Sequence, residues 1–268
     1  LSNLHFSCVG CGGCCRDVRI PLSVAEAIDW VNRGHQVQLL CEASPWPPVA
    51  DEGPKAAHFK RRSFAAMSGS MPVRIAVMLA ANLVGACPNL LADRRCGIYA
   101  DRPLVCRIYP VEINPSVTLS PANKACPPEA WSDGHPLLQS GGNVVDGSTA
   151  GAVRSWRESD ARDADLKKNA CVALNVTQAA PVHEAVLVYS PTRESLLSAL
   201  EFARSTQPID GKGAKWRFVS DRSDTVTDLQ RSGAAAVDVS TAVGPQFQYL
   251  GFARERLFGP YLIEAPLA

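Results

Sequence analysis

Near the start of the chain the run Cys8-Val9-Gly10-Cys11-Gly12-Gly13-Cys14-Cys15 packs four thiols into eight residues. Thiolates at C-x2-C spacing chelate soft and borderline metal ions, because sulfurs so spaced can turn towards one centre. The glycines at 10, 12 and 13 tolerate positive φ and let the backbone fold tightly enough for this. A second set follows at Cys87, Cys96, Cys106 and Cys126, with Pro88 after Cys87 and Pro127 after Cys126. The chemistry these residues suit is metal binding by sulfur.

Two C-x2-C steps in succession match the arc with which thiolates grip a 4Fe–4S cube in bacterial-type ferredoxins, where a further ligand is a cysteine followed by proline. Structural zinc sites more often use separated C-x2-C pairs. The pattern therefore favours one or two 4Fe–4S clusters, with zinc as the alternative cofactor. The eight clustered cysteines make two sets of four. Adjacent Cys14 and Cys15 point in different directions in most backbone geometries, which suits separate centres; one centre with spare thiols is the other arrangement. Disulfides fit poorly, since neighbouring thiols have the wrong geometry and a chain of 268 residues can hold together without staples. Cys41 and Cys171 fall outside the pattern and read as core thiols.

These features, in this order, resemble the CxxCxxCC family of zinc- or iron-chelating proteins, the YkgJ-like group. The resemblance rests on Cys8-x2-Cys11-x2-Cys14-Cys15, on Cys87-Pro88, and on the block from Cys96 to Pro110 with Ile98, Tyr99, Arg102, Pro103, Cys106, Arg107 and Tyr109 in it. It covers about residues 4–128 and implies metal binding. A distant relative is flagellin lysine N-methylase, whose similar cysteines are associated with an iron–sulfur cluster. Methylase activity does not carry over, because the chain has no recognisable methyl-donor motif.

Arg102 and Arg107, close in sequence to Cys106, are candidates to donate hydrogen bonds to thiolates or to balance the charge of a cofactor; a surface salt bridge is the plainer alternative. Tyr99 and Tyr109 are expected to pack over the site and exclude water. The histidines at 5, 35, 58, 135 and 183 are scattered, with only His5 near the first cysteines. The chain has no G-x-S-x-G, P-loop or G-x-G-x-x-G sequence, so hydrolase, nucleotide triphosphatase and dinucleotide readings lack support. Asp160, Asp163 and Asp165 read as a solvated helix face.

The elements that must position these residues fall into two parts. Ser23 to Glu26 has the form of a capping box, predicting a helix from about Val24 to Arg33. Prolines at 45, 47, 48 and 54 predict a loop over 44–54 pinned by Trp46, and Val73 to Val84 reads as a buried strand. From Cys87 to Pro128 seven prolines predict short strands and turns wrapped around something other than a large apolar core. The glycines and serines of 134–151 suit a linker or long loop. Val153 to Ala173 then predicts one charged, mostly exposed helix. Beyond Pro181, strands at 185–189, 216–220 and 235–239 alternate with helices at 193–205 and 224–231, predicting a small α/β layer with some parallel pairing. The expected class is α+β, with a cysteine-rich metal-binding domain over 1–133, a linker over 134–151 and an α/β domain of unknown role over 152–268.

A net charge of +1 gives no argument for a nucleic-acid partner, and Lys60, Arg61 and Arg62 form the only compact basic run. Leu1 to Val9 lacks the basic start and apolar run of a signal peptide, and the longest apolar stretch, 75–87, is too short for a span of about 20 residues. The expectation is a cytoplasmic protein with no membrane span. Three functions fit: an iron–sulfur protein for electron transfer or redox-assisted modification of a protein partner, a zinc-binding interaction module, or a metal-dependent protein-modifying enzyme.

Overall fold

The computed structural model describes residues 3–47, 53–114, 117–207 and 215–252. Its contacts divide the chain into two interleaved units, one drawing on 1–22 and 82–158, the other on 23–81 and 159–257. This is not the single cut at 134–151 that composition suggests. Both units contain helices and strands, and the α+β class holds.

The cysteine-bearing unit contains β1 (Leu4–His5), β2 (Arg19–Leu22), α3 (Leu104–Ile108), β6 (Leu137–Ser140), β7 (Asn143–Val144) and the greater part of α4 (Gly147–Arg162). β6 pairs antiparallel with both β1 and β7, forming a three-stranded sheet of which β6 and β7 lie inside the expected linker. From Cys87 to Pro128 the described residues form turns, 3-10 turns and α3, with isolated bridges and no strand. Seven prolines leave too few consecutive backbone donors for a ladder.

α4 begins at Asp146, whose carboxylate accepts from the Thr149 N–H at 2.8 Å and the Ser148 hydroxyl at 2.8 Å. These bonds, those of Thr149 first, hold the carboxyl below the usual carboxylate range. Because the folded value is depressed, the stabilisation is present at neutral pH and is lost as pH falls through that value.

The other unit contains α1 (Val24–Asn32), β3 (Val37–Pro45), α2 (Pro54–Arg61), β4 (Ser63–Ser68), β5 (Met71–Asn82, as far as Ala81), α5 (Ala164–Ala173), β8 (Gln178–Pro181), β9 (Ala185–Tyr189), α6 (Arg193–Ser205), β10 (Arg217–Ser220), α7 (Ser223–Arg231), β11 (Ala236–Asp238) and β12 (Phe247–Gly251). Strands β11, β10, β8 and β3 run parallel in that order; β5 follows antiparallel, with β4 beyond it, and β9 pairs antiparallel with β3 and β12. The α/β alternation after Pro181 is as predicted, but its sheet is completed by β3 to β5 from the first third of the chain. Leu39, Ile75, Leu187, Leu196, Leu200 and Phe218 are among the largest buried side chains.

Three local expectations change. The helix expected over 153–173 breaks at Asp163, and α5 is largely buried: Asp163 is 2% exposed and accepts the Val24 N–H at 2.7 Å, while buried Lys167 pairs with Asp160 at 2.6 Å. Asp163 and Asp160 are therefore not part of a solvated face, whereas Asp165 is exposed as expected. The proline loop is shorter than 44–54, since β3 includes Ser44 and Pro45 and α2 starts at Pro54; residues 48–52 lie outside the described residues. The Lys60 and Arg74 cations stand over the Trp46 ring, as its anchoring role requires. The capping box of α1 is present in full.

Buried Glu184 accepts from the hydroxyls of Ser220, Thr225 and Tyr249, which ties the ends of β9, β10, α7 and β12 together. Glu184→Ala leaves Ser220 and Thr225 without this acceptor, while Tyr249 keeps Asp221, and is expected to lower unfolding stability by about 2 kcal/mol, read from urea titrations followed by circular dichroism. Asp146→Ala should lower stability by about 1 kcal/mol at neutral pH, a difference that shrinks as pH falls through the depressed folded-state pKa.

Candidate metal centre

The arc from Cys8 to Cys15 is shaped by two glycines. Gly12 has φ 74°, in the left-handed region, and begins a 3-10 turn over Gly13 to Cys15 closed by the Cys15 N–H on the Gly12 carbonyl at 3.1 Å. Gly13 lies so close to the 125–126 backbone that an added Cβ would stand 2.7 Å from the Ala125 carbonyl oxygen. The turn thus presents Cys14 towards Cys126. Immediately after it the chain leaves in another direction: Arg16 bridges Ala86, and the Cys87 N–H donates to the Cys15 carbonyl at 2.7 Å.

Short-range hydrogen bonds gather the remaining cysteines about these two directions. The segment from Asn89 to Gly97 doubles back through a Leu90–Cys96 bridge, with the Gly97 N–H on the Asn89 carbonyl at 2.7 Å, which sets Cys96 beside Cys87. Cys106 enters on α3, and its thiol feels the charges of Cys15, Cys87 and Cys96. On the other side the Ser7 N–H donates to the Ala130 carbonyl at 3.0 Å, and Phe6 stacks on Trp131 with ring centroids 4.9 Å apart. Cys8 and Cys11 there face Cys126, whose thiol feels both. Two neighbourhoods result: Cys8, Cys11 and Cys126 in one, Cys15, Cys87, Cys96 and Cys106 in the other, with Cys14 between them, feeling both Cys106 and Cys126. They meet where the Cys14 and Cys15 sulfurs stand 3.9 Å apart.

All eight are free thiols, Cys8 exposed and the others half-buried. The Cys14–Cys15 contact pushes the Cys14 thiol up and draws Cys15 down to about 7. Burial pushes up Cys87 and Cys106, with neighbouring thiols adding to it, and raises Cys126 to about 11. Protonated sulfurs do not attract one another, and among the described residues no three Cys, His, Asp or Glu side chains converge tightly enough to hold an ion as they stand. The donor set nevertheless suits a thiophilic metal, since eight free sulfurs are carried on the turns of one unit.

Among the described residues the arginines do not hydrogen-bond the sulfurs, though Arg102 acts on them by charge. Arg102 donates to the Tyr99 carbonyl at 3.0 Å and Arg107 to the carbonyls of Arg102 and Ala100 at 2.9 and 2.8 Å. Their described hydrogen bonds go to backbone oxygens rather than sulfur, although the Arg102 charge lowers the pKa values of Cys15 and Cys106. Tyr109 does cover the first neighbourhood: its hydroxyl accepts the Ala125 N–H at 2.8 Å and it lies against Cys126 and Cys14. Tyr99 is 61% exposed and lies under Arg102 instead, so it shields no thiol. His5 turns away to the His135 carbonyl at 2.7 Å. Cys41 and Cys171 are buried in the other unit, as expected of core thiols, and they form a hydrogen-bonded pair that their spacing did not announce. Lys124, buried and paired with Glu112 at 2.5 Å, supplies a positive charge near Cys126; its position two residues before that cysteine was the available signal.

Residues 7–127 match the CxxCxxCC family model, described as "Putative zinc- or iron-chelating domain". The match supports metal binding by this segment. No curated protein and no solved structure matches the chain. Among the described residues no helix is long and apolar enough to cross a membrane.

Gly13→Ala tests the close approach on which the first neighbourhood depends. The added methyl meets backbone, which cannot rotate aside, so a loss of about 1–3 kcal/mol is expected in urea unfolding. Gly147→Ala, which meets nothing within 4 Å at the start of α4, should be neutral or slightly stabilising in the same assay.

Proposed function

We propose that this chain, which carries a CxxCxxCC domain over residues 7–127, is an iron–sulfur protein whose eight cysteines hold two separate centres. The supporting observation is the division of the thiols. Cys8, Cys11 and Cys126, with Cys14 assigned to them, would make the ferredoxin donor set, a C-x2-C-x2-C arc with a distant cysteine before proline. Cys15, Cys87, Cys96 and Cys106 form the second set. A bound cube supplies one-electron transfer. The chain's own residues hold the sulfurs in place, Tyr109 limits water at the first set, and Arg102 offsets negative charge at the second. This fits electron transfer or redox-assisted modification of a protein partner better than a chemical step on a substrate, because among the described residues thiols dominate the site and the one other titratable hydroxyl there, Tyr109, is held by the Ala125 N–H.

Zinc is the second reading, favoured by one distance. Two thiolates on a tetrahedral zinc ion stand about 3.8 Å apart, given Zn–S bonds of about 2.3 Å, and the Cys14 and Cys15 sulfurs are 3.9 Å apart.

Anaerobically purified protein is expected to be brown, to absorb near about 400 nm and to contain iron with acid-labile sulfide. Cys126→Ser and Cys106→Ser should each remove about half of both, the double variant nearly all, and Cys41→Ser none. A colourless protein with stoichiometric zinc would replace the iron–sulfur reading by the zinc one; equal and complete loss in both single variants would overturn the division into two centres.

A further inference from the structure

Beside the second thiol set, within the same unit, lies a hollow of about 390 Å³ that metal binding does not use. One wall is the turn from Tyr99 to Arg107, the other the first turns of α4, where Ser148, Ala152 and Ser155 follow one another on a single helix face. This volume falls within the range of small-molecule pockets.

Two cations line it. Arg102 stacks on Tyr99, its guanidinium carbon 3.7 Å from the ring centroid, and donates Nε to a backbone carbonyl. Arg107 spends Nε and Nη2 on two more carbonyls. These bonds fix both guanidinium groups without neutralising either, and neither forms an ion pair with a carboxylate among the described residues. Fixed forks with donors left over are the arrangement that recognises planar or tetrahedral oxyanions. Across the hollow, small side chains leave room, and the Ser155 hydroxyl adds a donor. The Ser148 hydroxyl donates to Asp146, whose carboxylate caps the helix and so uses up part of the positive end of α4. Attraction for an anion therefore comes chiefly from the arginines.

We propose that this hollow binds a small molecule bearing a carboxylate or phosphate group, held by Arg102 and Arg107 against the Ser155 face of α4. Lying beside the second thiol set, such a ligand would occupy the position of a substrate or effector of that centre; only this role, not the binding itself, rests on the metal reading.

Calorimetric titration of the metal-loaded full chain at low ionic strength with inorganic phosphate, and separately with malonate, tests it. Saturable binding to one site is expected, from phosphate, malonate or both according to the group recognised. Arg107→Gln should weaken it at least about tenfold, as loss of a charged hydrogen-bonding partner does. Ser155→Phe, at an exposed helix position, should block it by filling the space. Arg231→Gln, an exposed arginine of the other unit, should leave it unchanged. Absence of saturable binding by either anion, or equal weakening by Arg231→Gln and Arg107→Gln, would overturn the proposal. Metal and sulfide measured on the same samples separate the two ideas: anion binding without iron would sink the iron–sulfur reading alone, and iron without anion binding would sink only this one.

Discussion

Gathering eight thiols into one unit sets sulfur burial against sulfur ionisation. A half-buried thiol beside others resists losing its proton, because the thiolate loses water and repels its neighbours. Cys14, Cys87, Cys106 and Cys126 all show this upward pressure. The chain supplies some relief, with Arg102 near Cys15 and Cys106 and Lys124 near Cys126. Arg16 adds a second positive charge near Cys15, yet one or two cations against four thiolates leave most of the charge unbalanced. A thiophilic metal resolves the conflict, since coordination removes the protons and supplies the missing positive charge.

The same constraint explains how the cysteine-bearing unit differs from the other one. The α/β unit is organised by apolar burial, with Leu39, Ile75, Leu187 and Phe218 in its core. In the cysteine-bearing unit, no residue from Val84 to Arg102 is buried, although Cys87 and Cys96 lie in that stretch. Its order comes from backbone hydrogen bonds, chiefly the Cys87–Cys15 bond and the turn closed between Asn89 and Gly97. A segment with so little apolar burial gains most from an added cross-link, and two of its cysteines stand where one can form.

Features written in short stretches of sequence were legible. The Ser23 to Glu26 capping box, the strand–helix alternation after Pro181 and the donor pattern of the cysteines each depend on residues a few positions apart. What was not legible depends on distant partners. Nothing near Asp163 announces that it receives the Val24 N–H, and so the break between α4 and α5 was missed along with the burial of Lys167. Likewise β3 carries no mark that it will lie between β8 and β5, so a linear cut was expected where the chain interleaves. In the site, Tyr99 was expected over the sulfurs, but it stacks under Arg102 instead, while the Arg102 charge still reaches Cys15 and Cys106.

The adjacency of Cys14 and Cys15 gives the proposed division a physical consequence. Assigned to different centres, the two residues place ligands of both within one peptide unit, with sulfurs 3.9 Å apart. At that range the charge on one sulfur is felt strongly by the other, even with the partial screening of a half-buried site. Cys15 is drawn towards ionisation while Cys14 keeps its proton, so the pair behaves as one titrating unit rather than two. A cation that binds the Cys15 set neutralises the Cys15 thiolate and so eases the deprotonation of Cys14. Filling the two centres is on this account a coupled process, and a change of charge at one is transmitted to the other without any movement of the backbone.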